Sequence, residues 1–370
     1  MEFTVTKSDL QKELQLCQGV VERRSTIPIL SNVLLKASKD RIELAATDLD
    51  VTLQTSCGAA VKQQGMVTID ARRFFDIVRS LPEDDVKISL DENYSVQVES
   101  GSAKFRILGL PAEDYPTLPK VDRSKAISVD LQDLKTMVEK VIFAITHEET
   151  RFQLNGALLK LADGKMEMVA TDGHRMALVT MPLGGASQDL TILIPRKALN
   201  ELLRLDAGED GGMKFGTSEN HLFFEAGGRC LMARMMDVNF PNYMEVVAKD
   251  NDRRVTVTRE RLLSSIKRVS LVANERTRAV RFDFAAGKLT VSSTSAELGD
   301  ARETVPIEYT GAPFHVGLNA SYVADFLAAV DTDSVALDLK DENSQCIARP
   351  LGGETLAYEY VYIVMPMRIG

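Results

Sequence analysis

The stretch Thr171-Asp172-Gly173-His174-Arg175 sets a carboxylate, an imidazole and a guanidinium within five residues, side-chain types that serve general acid–base chemistry or metal binding. A metal site needs further ligands at a suitable spacing. The four histidines, His147, His174, His221 and His315, include no pair at such a spacing, and none has a carboxylate placed as its metal partner. The chain also lacks a phosphate-cradling GxxxxGK loop and a nucleophile elbow. A hydrolytic reading would therefore rest on Asp172 and His174 alone. Against it stands a second copy: Thr47-Asp48-Leu49-Asp50 repeats the Thr-Asp pair without the histidine. Asp48 and Asp172 read as turn formers whose carboxylates accept hydrogen bonds from nearby backbone N–H groups. No catalytic residue, metal or cofactor is expected.

That copy belongs to a longer repeat. DRIELAATD from Asp40, GKMEMVATD from Gly164 and GKLTVSSTS from Gly287 are separated by 124 and 123 residues. The pairs Tyr115-Pro116, Phe240-Pro241 and Met365-Pro366 are each 125 residues apart. Three equivalent units follow, with domains at 1–122, 123–248 and 249–370. In each, period-two alternation passes into apolar spacing of three and four, as in FTVTKSDLQKELQLC, ISVDLQDLKTMVEKVI and VTVTRERLLSSIKRV, which is a strand leading into a helix. Ser8, Asp130 and Thr258 are the expected caps. A second helix in each unit starts near Asp70, Pro195 or Asn319, and alternating runs broken by Asp-Gly or Ala-Gly read as hairpins. The fold class is α+β: three repeated domains, each of two helices on antiparallel sheets.

Length and composition fit this reading. A chain of 370 residues exceeds one ordinary core, and 45% hydrophobic with 26% charged residues is the mixture of a folded globular protein. Cys17, Cys57, Cys230 and Cys346 are scattered with no close pair, so neither a zinc ribbon nor a disulfide framework is expected. The chain start lacks signal-peptide character and no stretch is long and apolar enough to span a membrane, so a cytoplasmic location is expected. The net charge is −9, yet the six helical windows 7–24, 70–81, 130–140, 195–205, 258–272 and 319–330 carry a net of +5. Basic charge collects on helices and acidic charge elsewhere. That segregation suits helices facing a polyanion without reading its sequence. With no tryptophan and no aromatic interleaving, stacking on single-stranded bases is not favoured.

Five segments then carry a resemblance: TDLD from Thr47, LNGALL from Leu154, ATDGHRMAL from Ala170, FPNY from Phe240 and YIVMPMRI from Tyr362. The chain resembles, through all three repeats, the bacterial sliding clamp family, the beta subunits of the replicative DNA polymerase III. The resemblance implies half of a six-domain homodimeric ring, with helices lining a hole for duplex DNA and sheets outside. Its implied role is that of a processivity factor. The implied partners are the polymerase III alpha subunit, the clamp loader complex, and other polymerases and repair proteins carrying short clamp-binding peptides.

The peptide pocket so implied comprises Leu154, Thr171, Gly173, His174, Arg175, Met176, Pro241, Val246, Ile363, Met365, Pro366, Met367 and Arg368, apolar lining with His or Arg at the rim. The implied DNA contacts are Arg24, Arg72, Arg73, His147, Arg196 and Lys197. The implied dimer interface holds Lys104, Phe105, Leu271, Val272, Glu297 and Glu303, with Lys104 facing Glu297 or Glu303. Two positions depart from the family: Phe152-Gln153 stands where many members have a tyrosine pair, and Glu245 where basic residues also occur.

Overall fold

Each of the six α-helices among the described residues grows directly out of a strand. The structure is a computed structural model that describes residues 1–22, 26–82, 85–148, 150–184, 189–208, 211–236, 238–247, 250–352 and 356–369. Glu2–Thr6 runs into α1 (Lys7–Val20), Gly65–Asp70 into α2 (Ala71–Ser80) and Ile127–Asp130 into α3 (Leu131–Val141). Leu190–Pro195 runs into α4 (Arg196–Leu202), Arg253–Thr258 into α5 (Arg259–Val269) and Phe314–Asn319 into α6 (Ala320–Ala329). The change of apolar period read in the sequence is this junction. In α1, Leu10, Leu14 and Cys17 are buried, and in α2 Phe74, Phe75 and Val78 are, the three-and-four spacing that puts one helical stripe on a sheet.

The caps are only partly those expected. Asp130 accepts from the Gln132 and Asp133 N–H groups, Asp70 from Arg73, and Asn319 from Ser321 and Tyr322. Ser8 lies inside α1, whose N-cap is Thr6, and neither Thr6 nor Thr258 makes a side-chain cap bond. The Thr6 hydroxyl donates instead to the Asp9 carboxylate at 2.5 Å.

Two compact units divide the chain. The first holds Met1–Lys135 and Lys197–Met235, the second Thr136–Arg196 and Met236–Gly370. The first unit carries a five-stranded sheet, in which Ala103–Leu108 is an edge, and an eight-stranded one. The second carries a twelve-stranded sheet. The division cuts through the central repeat because one of its sheets continues a sheet of the first repeat and the other continues a sheet of the third. Two antiparallel seams make these joins. At the first, Arg229–Arg234 pairs with Val51–Gly58 in the register Cys230↔Gln54 and Met232↔Thr52. At the second, Glu359–Val364 pairs with Arg175–Pro182 in the register Ile363↔Met176 and Val361↔Leu178.

An ion pair made by a buried arginine backs each seam, and at the first seam the carboxylate is buried as well. Glu13 on α1 accepts from Arg229 at 2.6 and 2.9 Å, with the Thr55 hydroxyl donating to the same carboxylate at 2.5 Å. Arg175 reaches Asp325 on α6 at 2.5 Å. Removing Arg229 from the first, fully buried pair strands Glu13 without water, at a cost of about 3–5 kcal/mol. Arg229→Ala should therefore lower the unfolding free energy measured in urea by that much, whereas Lys12→Ala, which breaks an exposed pair with Asp206, should cost less than about 1 kcal/mol.

Candidate functional site

The Thr-Asp turns have the same construction in two repeats. The Asp172 carboxylate accepts from the His174 and Arg175 N–H groups at 2.9 and 3.0 Å, and the Thr171 hydroxyl donates to the Arg175 carbonyl. Asp48 accepts likewise from Asp50 and Val51, and Thr47 donates to the Val51 carbonyl. The third position of each turn has a positive φ, +88° at Gly173 and +81° at Leu49, a conformation glycine adopts without strain. Asp172 is thus committed to its own backbone and to the Arg175 side chain. Among the described residues, no cluster of three or more His, Cys, Asp or Glu is arranged to hold a metal ion.

Arg175 is not a rim residue. It is 9% exposed, and its guanidinium donates to Asp172, Asp325 and the Phe143 carbonyl while lying 4.3 Å from the centre of the Tyr322 ring. Every face of the guanidinium is occupied from within the chain, so Arg175 positions the turn and α6. His174 beside it is exposed, and its carbonyl accepts from the Met365 N–H at 2.9 Å.

The second seam gathers the apolar part of the expected site. Met176 and Ile363 are Cα partners and join one cluster with Leu158, Val169, Leu178, Leu193, Tyr243 and Ile347, against which Phe240, Val247 and Val361 pack. Pro241, Val246 and Met365 lie exposed, and Pro366 and Met367 are half-buried. Arg368 is exposed, whereas Leu154 is buried outside this cluster. The residues missed from sequence are Leu158, Val169, Leu178 and Val361, which form one row across four strands through the pairs Leu158↔Val169, Val169↔Leu178 and Leu178↔Val361. The alternation of these strands carried the signal, but the strand order needed to assemble the row was not legible. The C-terminal segment crosses Gly317, which accepts from the Met367 N–H at 2.8 Å. A Cβ at Gly317 would stand 2.5 Å from the Met367 carbonyl and 2.3 Å from Ile369. Of the two departures, Phe152 is 64% exposed, and Glu245 is exposed and accepts from the Asn242 amide at 2.5 Å.

The basic positions divide into free and engaged. Arg24 lies outside the described residues. Arg72 and Arg73 are exposed at the start of α2. Lys197 is tied to Asp48 and to the Val20 carbonyl. The Arg196 guanidinium lies 2.7 Å from His147 Nε2 and 3.3 Å from the Ile145 carbonyl. Desolvation, then the Arg196 and Arg175 charges, hold the His147 imidazole below its usual pKa of 6.5.

At the expected interface, Phe105 is 37% and Leu271 78% exposed, with Val272 half-buried. Glu297 is exposed. Within the chain Lys104 pairs with Glu99, and Glu303 takes a two-point contact from Arg268.

The fold and these sites define a clamp protein, built of three tandem α+β domains joined edge to edge. Family descriptions of the DNA polymerase III beta subunit match the chain in order, its N-terminal domain over residues 1–119, its central domain over 128–242 and its C-terminal domain over 244–368. The beta sliding clamp of Pseudomonas putida is 34% identical over 372 residues, covering all of both chains. A sliding clamp from Pseudomonas aeruginosa solved with griselimycin bound superposes with a TM-score of 0.93 at 33% identity, with full coverage of both chains. A Caulobacter crescentus beta sliding clamp with polyethylene glycol in a putative beta-motif tethering region gives 0.92 at 34%, covering 100% of this chain and 99% of that one. The chain belongs to the DNA polymerase III beta subunit family, the beta sliding clamps.

Two measurements follow from the geometry. Gly317→Val should expel the C-terminal segment, so that carboxypeptidase trims Arg368 and Ile369 faster while the melting temperature of the core changes little. Because Nε2 of His147 accepts only when unprotonated, its NMR titration midpoint should lie below 6.5. Folding favours the neutral ring, so its contribution to stability is full above the unfolded-state pKa and is lost as the pH falls on through the lower folded-state pKa.

Proposed function

We infer that this chain is a non-catalytic processivity factor. Two copies close into a ring around duplex DNA, and each holds a polymerase or another replication or repair protein by a short peptide laid in the apolar cleft of the second seam. The observation that carries this reading is a pair of strand edges. Ala103–Leu108 has no strand partner on its outer side, and Gly299–Glu308 meets Arg253–Thr258 only at Ile307 and Glu308, leaving its earlier residues open on that side among the described residues. Both edges carry exposed apolar side chains, Phe105 and Leu108 on one and nearby Leu271 and Leu298 by the other. Open apolar edges invite pairing with a second chain.

The repeats supply the register. Ala103–Leu108 stands to its sheet as Arg229–Arg234 does to its own, since Ser100↔Ala103 matches Ala226↔Arg229. Thr294↔Asp300 likewise matches Thr47↔Thr52 and Thr171↔Met176. Carried over to the dimer, the register of both seams pairs Arg106 of one copy with Asp300 of the partner subunit, and Phe105 with Ala301. Lys104 falls one diagonal step from the same Asp300. Glu303, already held by Arg268, is the less suited partner for it.

For DNA, the helix bias of +5 with the free Arg72 and Arg73 supports contact with phosphates rather than bases. So small a charge gives weak, salt-sensitive affinity, and closure of the ring supplies the retention. The alpha subunit and the clamp loader are the partners this role requires, and the exposed Met365, beside the half-buried Met367, gives the cleft an adaptable wall.

Directly opposed antiparallel residues have Cα atoms about 4.5–5.5 Å apart, which a disulfide spans. Arg106→Cys with Asp300→Cys should give covalent dimers on mild oxidation, while Arg106→Cys with Thr304→Cys should not; equal yields would remove the register. Loaded rings should survive high salt on a nicked circle and leave once it is cut. Arg72→Ala with Arg73→Ala should slow loading without releasing closed rings, and loss of that variant from uncut circles would point to a surface-bound scaffold.

A further inference from the structure

The first seam encloses a cavity of about 380 Å³ that neither the DNA contacts nor the second-seam cleft uses. Its floor is a row of side chains, Leu34↔Ala45↔Gln54↔Cys230, set by direct cross-strand pairs. Strand for strand, this is the counterpart of Leu158, Val169, Leu178 and Val361 at the second seam. Leu118 overhangs it two residues after Pro116, as Tyr243 stands two after Pro241. The same fold therefore builds an equivalent row of side chains at both seams, with the residue two after the proline beside each.

The two differ in charge. The first cavity is lined by Lys36, Arg41, Arg123 and Arg229 against the carboxylates of Glu43 and Glu225. Lys36 pairs with Glu43 at 2.9 Å and Arg123 with Glu225 at 2.6 Å, and Glu13 neutralises Arg229 from beneath. Arg41 pairs with Asp40 at 3.6 Å, which lies outside the lining. The lining thus holds four cations to two carboxylates, with Glu13 and Asp40 answering the other two from outside it, over a floor whose ends, Leu34 and Cys230, are apolar and whose middle, Gln54 with Ser56, offers hydrogen-bonding groups.

We propose that this first-seam cavity is a second docking site, for an extended peptide that sets a leucine-sized side chain on Leu34 and Leu118 and acidic side chains against Lys36 and Arg41. An extended strand alternates its side chains, so apolar and acidic residues two apart meet the ledge and the rim together. The charge of the rim separates this ligand from the apolar peptide of the second seam. The argument rests on this cavity and does not require the second-seam reading.

The test uses the full chain with methyl-labelled leucines and a blocked hexapeptide alternating leucine and glutamate, with its leucine–lysine counterpart as the control. The glutamate peptide should shift the methyl signals of Leu34, Leu44 and Leu118, and the lysine peptide should not. Lys36→Glu with Arg41→Glu, both on exposed side chains, should weaken binding by at least about tenfold through charge reversal at the rim, and Leu118→Arg should do the same by a different route. No response at these leucines up to about 1 mM peptide, an affinity too weak to matter, would overturn the proposal. So would an equal response to the lysine peptide, or unchanged affinity in both variants. Shifts confined to Leu158 and Leu178 would overturn it while leaving the second-seam cleft standing, and failure of an uncharged apolar peptide to move those two would count against that cleft alone.

Discussion

Strand pairing between repeats is the constraint on which the rest of the structure depends. A strand edge presents backbone N–H and C=O groups that must be satisfied, and this chain satisfies them by lending strands of its central repeat to both neighbours. The register Met232↔Thr52 and Ile363↔Met176 then decides much else. Since side chains alternate along a strand, a slip of one residue would turn each row to the opposite face. The row from Leu158 to Val361 exists only in this register. The C-terminal segment, held by the His174 and Gly317 carbonyls, is laid out by the same seam.

Buried arginines hold the register. Arg229 and Arg175 both sit on seam strands and both reach a carboxylate on a helix, Glu13 on α1 and Asp325 on α6. Such pairs add little net stability because desolvation offsets most of the attraction. Their geometry is what matters here: a guanidinium with several fixed acceptors has few alternatives, and it ties the helix layer to one strand alignment. Arg175, with acceptors on the turn, on α6 and on the segment at Phe143, does this beside the row from Leu158 to Val361.

Much of this was legible in the sequence. The repeat followed from the spacing of Thr-Asp turns and of prolines, and the strand-to-helix change of period located every helix. The turn role of Asp48 and Asp172 was readable because a sister turn lacked the histidine. Three things were not. Ser8 looked like a cap because the alternating stretch gave no sign that the helix starts two residues earlier, with Thr6 at its N-cap. Arg175 looked like a rim cation because burial depends on α6, 150 residues away. The cleft row and the first-seam cavity depend on which strands adjoin across a seam, and local periodicity carries no strand order.

The loopless junctions have a mechanical consequence. Where Thr6 meets Lys7, or Asn319 meets Ala320, no intervening residue is free to rotate, so a helix cannot tilt without turning its strand, and that strand is clamped in a ladder. Bending load applied to such a chain has little compliance to draw on within a domain. It passes along the sheets and concentrates wherever ladder bonds are fewest and side-chain contact must bear the strain. A body made this way is stiff within each strand-and-helix element, and it yields at its junctions.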